Sequence, residues 1–577
     1  MASSRRTSQR NRSRGRASSS RQRAPYVVAG NPSMRMAVVF GLFLLVVLFF
    51  VGRLFYLTLI VGPENAETAI SGRTETITVE AKRGTIYDRN GNVLATSVDA
   101  TTIYCNPSEV TDPSGLADTL VQLFGGVKSD YTKKLASTST FVYLCKKADV
   151  DVASKLKDMG YDGVYFLSDS KRVYPYGQTA GQVIGLCDTD GNGIAGLELY
   201  YDDVLSGEDG EIVAEYGKGG YPIAGGQQQT VAATDGQDIV VSIDIEMQEY
   251  LEERLTQAVS DIEGKRGDSV IYDGATGDIL AIASTPYLNP SDRSTVEEGA
   301  TTLMPINTMY EPGSIFKSVT MAAVLEAGVL TPESEIYCPA YLEADEYTVS
   351  DAHTRASQTF TLTQILAESS NVGTSLAASE LGFGPLYDKI LEYGFAQKTG
   401  VDFPGESAGS CTEQSTWSLV RSYNVSFGQG ISVTPLQMAR FYGALANDGV
   451  AYQPHFLLSY PQTGEEPTYE GTKLITSSTV DSLTGMLEAV VTEGTGTKAA
   501  IDGYSVAGKT GTAQYADDSG TYVDGSYDIS FIGYLPDTDS DLVCFVGVTE
   551  VPGDRSTAAA FKDIMAFAIN HYKIAAQ

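Results

Sequence analysis

From Met36 to Gly52 the chain carries no charged residue, and after Arg53 the apolar run resumes from Leu54 to Val61. About 20 such residues span the hydrocarbon core of a bilayer, and an arginine near one end can reach the interface. The apolar core of a cleaved signal peptide is only about 7–15 residues long, and no small-residue cleavage site stands out here. The run therefore reads as an uncleaved anchor helix over residues 36–61. Nine arginines precede it with no Lys, Asp or Glu among them, which places the N-terminus in the cytoplasm. Everything from about residue 62 onward is then expected outside the cell membrane, extracellular or periplasmic.

The rest of the chain has the opposite charge. Residues 1–61 hold ten of the 40 basic residues and none of the 72 acidic ones, so the remainder carries a net charge of −42. Such a body is a poor partner for nucleic acid, whose phosphates need a basic surface. With 577 residues and 42% apolar content the chain can bury more than one core. Six cysteines without a CxxC pair and only three histidines argue against a zinc site. An even cysteine count outside the cytoplasm permits disulfides without fixing their pairing, and small buried hydrophobes are the simpler reading.

Residues 1–35 are Ser/Arg-rich and are expected to be disordered. Residues 62–232 read as a strand-rich, non-catalytic region. Thr76–Glu80 alternates like a strand, and Ile86–Ala95 places an Asn-Gly turn between two apolar runs, a hairpin signal. Gly219–Gln229 reads as a linker. From about 233 the pattern changes to that of a second domain reaching residue 577. A strand is expected at Ile239–Ile243, a helix at Glu246–Val259 and a hairpin from Ser269–Tyr272 and Asp278–Ile282. Helices are expected after Ser314 and around Leu362–Glu380, Pro435–Ala446, Ser477–Val491 and 557–573. Strands are expected at 504–507, 529–534 and 542–548. An antiparallel sheet built from both ends of the domain, with helices beside it, is an α+β fold.

Chemistry concentrates at Tyr310-Glu311-Pro312-Gly313-Ser314-Ile315-Phe316-Lys317-Ser318. Pro-Gly marks a turn before an apolar segment, which reads as a buried helix starting at or near Ser314. Residues three apart on a helix are neighbours, so Ser314 and Lys317 would meet. A poorly hydrated lysine loses proton affinity, and a neutral amine is the base a serine nucleophile needs. Alone, Ser-x-x-Lys is often a capping serine and a snorkelling lysine. Two further groups sit in the same domain: Ser369-Ser370-Asn371, and Lys509-Thr510-Gly511-Thr512 at the first C-terminal strand. S-x-x-K, S-D-N and K-T-G occur together in penicillin-binding proteins and class A β-lactamases. Here Ser370 stands where that set has Asp.

With its flanking segments the chain resembles a class B penicillin-binding protein, a monofunctional peptidoglycan D,D-transpeptidase. The resemblance is carried by Arg83-Gly84-Thr85-Ile86-Tyr87-Asp88-Arg89-Asn90-Gly91, Gly196-Leu197-Glu198, the Ser314 segment, Ser426-Phe427-Gly428-Gln429-Gly430, Gly494-Thr495-Gly496 and Ser530-Phe531-Ile532-Gly533-Tyr534. It implies a serine β-lactamase-like transpeptidase domain at 233–577, a pedestal of the dimerisation type at 62–232, and one transmembrane helix. It also implies roles. Ser314 is the nucleophile toward D-Ala-D-Ala stem peptides, and Lys317 takes its proton. Ser369 and Asn371 complete the relay and hold the substrate amide, and Lys509 adds positive potential. Thr510 and Thr512 bind the terminal carboxylate, and Gly511 leaves room for a substrate strand. The backbone N–H groups of Ser314 and Thr512 form the oxyanion hole. No metal or nucleotide cofactor is implied. Implied partners are stem peptides, β-lactam antibiotics, the membrane, and a polytopic glycosyltransferase of the shape, elongation, division and sporulation type.

Rival readings find less support. A Ser-His-Asp hydrolase would need a placed histidine and a Gly-x-Ser-x-Gly elbow. A β-lactamase would need a glutamate-activated water, and no Glu-x-x-Leu-Asn-like segment is present. A β-lactam sensor would need more than residues 1–35 on the cytoplasmic side. A D,D-carboxypeptidase uses the same three groups with water as acceptor. A non-enzymatic scaffold of a division complex is opposed by the intact Ser314, Lys317, Ser369, Asn371 and Lys509.

Overall fold

The computed structural model describes residues 32–62, 74–215, 228–516, 521–553 and 555–576. Most of the expected disordered tail and most of the Gly219–Gln229 linker lie outside these residues. The chain divides into two compact units, residues 1–77 with 212–230, and residues 78–211 with 231–577. In the first, one helix runs from Pro32 to Phe55 and continues as a wider turn over Tyr56–Ile60. It starts four residues before the expected Met36, because a proline fits the first turn of a helix, where its missing N–H has no partner to lose. Its apolar side chains are exposed all round, and it is long and apolar enough to cross a membrane.

The second unit holds a five-stranded antiparallel sheet. Its strands are β1 (Arg266–Asp273), β2 (Ile279–Ser284), β3 (Ala507–Ala516), β4 (Tyr522–Tyr534) and β5 (Leu542–Pro552), in spatial order β2-β1-β5-β4-β3. Strand side chains alternate between faces, and here both faces are covered. Ile271, Phe531, Cys544 and Val546 join one core with helices Ile245–Asp261 and Ala558–Tyr572. Val270, Ile532, Val543 and Phe545 join another with helices Lys317–Glu326 and Pro435–Ala446. The strand β3 begins at Ala507, where the expected 504–507 ends, and β4 reaches back from the expected 529–534 to Tyr522, so that the two form a long ribbon.

A second sheet crosses the expected boundary near residue 232. Ile239–Val241 pairs in parallel with Ile86–Tyr87 and antiparallel with Leu457–Ser459. Ile86–Tyr87 pairs in turn with the long strand Val93–Cys105, closing the expected Asn-Gly hairpin. Cross-contacts reinforce this join. The Tyr201 hydroxyl donates to Asp402 at 2.5 Å, and the Ala180 amide donates to Glu252 at 2.9 Å. The six cysteines are free thiols, four of them buried.

Candidate active site

Ser314 lies on a 3-10 turn, Gly313–Phe316, and the α-helix begins at Lys317. The expected helix start at Ser314 is thus a tighter turn, of the kind that often precedes an α-helix. The turn is pressed against β3. A Cβ on Gly313 would lie 2.6 Å from the Thr512 carbonyl oxygen, and Gly313 holds φ +54°; only glycine tolerates both. The Gly313 amide donates to the Gly428 carbonyl at 2.9 Å, and Tyr310 and Val433 exchange two backbone bonds of 2.9 Å. These tie the turn to the backbone at Gly428 and Val433. Ile315 and Phe316 are fully buried and Ser314 is half-buried.

Lys317 and Lys509 are both completely buried, and they converge on one residue. The Lys317 amine donates to the Ser369 carbonyl, and to the Ser369 hydroxyl at 3.1 Å. The Lys509 amine donates to the same hydroxyl at 3.0 Å, and to the carbonyl and hydroxyl of Thr510 at 3.1 and 3.2 Å. Burial pushes the Lys317 amine down to about 7, partly opposed by the Asp351 carboxylate. Burial, and then the neighbouring Lys317, push Lys509 well below the ordinary lysine range. None of the described hydrogen bonds of Lys317 goes to the Ser314 hydroxyl, although one helical turn separates them. Contacts of this kind often tighten only when substrate is bound.

Ser369 can meet both amines because the chain breaks there. The helical stretch expected around Leu362–Glu380 is two helices, Leu362–Ala367 and Asn371–Leu381. Ser369 stands between them at φ +56°, a conformation that costs a non-glycine residue about 1–3 kcal/mol. Ser370 caps the second helix, its hydroxyl accepting from the Gly373 amide at 2.9 Å. Asn371 donates its side-chain amide to the Ser350 carbonyl at 3.0 Å.

On β3, Lys509 and Gly511 are buried, Thr510 is partly exposed and Thr512 is exposed. The strand is the sheet's edge, so one side is unpaired within the sheet. Gly511 has a different reason from the one expected. A Cβ there would lie 2.1 Å from the Ser530 hydroxyl and 3.3 Å from the Pro312 carbonyl, so the missing side chain accommodates the protein's own neighbours. Thr510 shares a hydroxyl–hydroxyl bond of 2.8 Å with Thr495 of the Gly-Thr-Gly segment.

The structure thus brings Lys317, Ser369 and Lys509 into one hydrogen-bonded cluster, with Ser314 on the turn that abuts Thr512. Sequence reasoning missed Asp351 and Arg355, which grip the Ser369–Asn371 turn, and Glu311, which accepts from the Gly430 amide at 2.8 Å. The arrangement provides a hydroxyl nucleophile, a buried amine of lowered proton affinity, and a second hydroxyl linking two amines. That is equipment for acyl transfer through a covalent ester.

Two sequence-family descriptions match the chain: the penicillin binding protein transpeptidase domain over residues 267–566, and the penicillin-binding protein dimerisation domain over residues 78–241. Penicillin-binding protein PbpB of Mycolicibacterium smegmatis is 32% identical, over 82% of this chain and 79% of its own length. Peptidoglycan D,D-transpeptidase FtsI of Escherichia coli is 30% identical, over 85% and 83%. Among solved structures, penicillin binding protein 3 of Mycobacterium tuberculosis in complex with aztreonam superposes with a TM-score of 0.67 at 28% identity, over 86% of this chain and 97% of that one.

Proposed function

The chain belongs to the class B penicillin-binding proteins, the peptidoglycan D,D-transpeptidases of cell wall synthesis, and we propose that Ser314 is the nucleophile of its acyl transfer. The supporting observation is the Ser369 hydroxyl, which accepts from two buried lysine amines beside the turn that carries Ser314. Neutral Lys317 takes the Ser314 proton as the oxygen attacks the carbonyl of the penultimate D-Ala. The amide N–H groups of Ser314 and Thr512 receive the developing oxyanion; loss of one such donor costs about 100–1000-fold in rate. A hydroxyl has two acceptor sites and one donor. The two amines occupy the acceptor sites of Ser369, so its own proton passes to the departing D-Ala amine while Lys317 hands the proton it took from Ser314 to the Ser369 oxygen, which leaves Ser369 a hydroxyl and Lys317 neutral again. Thr510 and Thr512, on the accessible side of β3, hold the terminal carboxylate, and the unpaired edge of β3 receives the peptide as an added strand. Asn371 turns from Ser350 to the substrate amide. An amine of a neighbouring stem peptide then attacks the ester, freeing Ser314 and leaving a cross-link. A β-lactam follows the first half of this path. Its amide bond opens within the ring, so the leaving nitrogen stays attached and the ester persists.

The pedestal assignment over 62–232, the transpeptidase domain over 233–577 and the cytoplasmic N-terminus belong to the same proposal. The arginine-rich segment before the apolar helix supports that orientation. We place a polytopic glycosyltransferase against the pedestal as the partner that supplies glycan strands.

Fluorescent penicillin tests the site directly on the detergent-solubilised full chain. Wild type is expected to label to completion and to keep the label for many minutes. Ser314→Ala is expected to lose it with an unchanged thermal transition. Labelling that survives this substitution would place the nucleophile elsewhere.

A further inference from the structure

The three-residue group written S-D-N in the wider set reads Ser369-Ser370-Asn371 here, without its carboxylate. The fold returns one to the same place from another segment. Asp351 follows the hairpin formed by Tyr341–Ala344 and Tyr347–Ser350. Its oxygens accept from the Ser370 hydroxyl at 3.0 and 2.9 Å and from the Val372 amide at 2.9 Å. Arg355 donates to Asp351 at 2.5 Å, to the Cys338 carbonyl at 3.0 Å and to the Ser370 hydroxyl at 3.4 Å. The two side chains are only 11% and 15% exposed.

These contacts bear on a strained point. Ser369 keeps its left-handed conformation only if its surroundings over-determine it. That conformation lets Ser369 present both its carbonyl and its hydroxyl to Lys317. Asp351 grips Ser370 and Val372, two of the three residues that follow, through charge-assisted bonds, at a helix N-terminus that favours negative charge. Asn371, between them, is tied to Ser350 of the same hairpin.

We propose that Asp351 is a positioning residue of acyl transfer: its carboxylate, held by Arg355, locks the Ser369–Ser370–Asn371 turn in the form that delivers Ser369 to Lys317 and Lys509. It stands in for the carboxylate absent at position 370. The same charge acts on Lys317. Around that amine the nearby charged groups are Lys509 from β3, which opposes its protonation, and Asp351 behind the turn, which favours it. Removing Asp351 therefore does two separable things. It loosens the turn, and it eases deprotonation of Lys317.

The inference rests on the assignment of Ser314 and Lys317, and its test keeps the two apart. The rate constant for acylation by fluorescent penicillin is measured on the full chain from pH 5.5 to 9. Asp351→Asn is expected to lower the plateau about tenfold or more, since misplacing a catalytic group by about 1 Å can cost 100-fold. It is also expected to move the rising limb to lower pH. Ser370→Ala, which leaves the charge in place, is expected to lower the plateau without moving the limb. If Asp351→Asn melts several degrees lower, the limb still reports, because its position does not depend on the folded fraction. The inference is overturned if Asp351→Asn stays within about twofold of wild type with an unmoved limb. It is overturned equally if the plateau only tracks the folded fraction while the limb stays put. Failure of the underlying site assignment would show differently, as labelling that persists in Ser314→Ala.

Discussion

Two lysines at zero exposure, both bonded to one serine hydroxyl, do not readily keep two ammonium charges. Taking an ion out of water disfavours the charged form, and a like charge alongside disfavours it further. Both amines are therefore pushed down, and the fall of Lys317 to about 7 has a kinetic consequence. As the proposed base, Lys317 must be neutral to accept the Ser314 proton. Below pH 7 the acylation rate constant should fall about tenfold per pH unit, and above it the rate should level off, as read from stopped-flow labelling between pH 5.5 and 9. A profile flat across that range would remove Lys317 from the role of base. The Ser-x-x-Lys spacing put Ser314 and Lys317 one helical turn apart in advance. It did not make legible that the described contacts of Lys317 are with Ser369, because that depends on a backbone break that apolar periodicity cannot register. Asp351 was out of reach for the same reason. Its partners lie beyond two turns, and nothing in local sequence connects them.

Secondary-structure elements were read well where one face of a regular element is buried, as in Pro435–Ala446, which the structure reproduces. They were read less well where the polypeptide changes direction under tertiary constraint, as at Glu368–Ser370. Arg83 and Glu198, noted only within segments that carry the resemblance, turn out to meet in one buried ion cluster. Arg83 binds Glu198 and Asp202 at 2.6 Å each, and Arg172 binds Glu198 at 2.7 Å. The Glu198 side chain has no exposure at all. Glu198→Ala leaves two arginines buried beside an empty place, and breaking one side of a buried pair costs about 3–5 kcal/mol. The thermal midpoint of the full chain should drop by several degrees, with labelling per folded molecule unchanged. A midpoint within about one degree of wild type would mean that the cluster does not stabilise the pedestal.

At the scale of the whole molecule, residues 78–211 and 231–577 form one compact unit. A sheet runs from Leu457–Ser459 through Ile239–Val241 to Ile86–Tyr87 and beyond, and Ile86, Ile239 and Val241 are fully buried. Cutting at residue 233 would expose the edge of Ile239–Val241, an invitation to aggregation, and would remove Ala180 from Glu252 and Tyr201 from Asp402. A fragment starting at 233 is therefore expected to express poorly or aggregate, whereas one starting near residue 74 should melt in a single calorimetric transition. A soluble 233–577 fragment that labels at the wild-type rate would show that the two parts fold independently.

Sequence alone determined the apolar helix, the acidic body behind it and the α+β class, and it singled out Ser314, Lys317, Ser369 and Lys509 as candidates. Each of these leaves a local mark: an uninterrupted apolar run, a charge balance, a period, or a short spacing beside a turn. Only the tertiary structure decided that a serine with left-handed backbone joins the two lysines. It also decided that Gly511 makes room for Ser530, that Asp351 supplies a carboxylate missing from its neighbour, and that the pedestal and transpeptidase share a sheet. All of these are contacts between segments far apart in the chain. They arise from close packing and from the need to pair buried charges, and neither leaves a pattern within any one stretch of sequence.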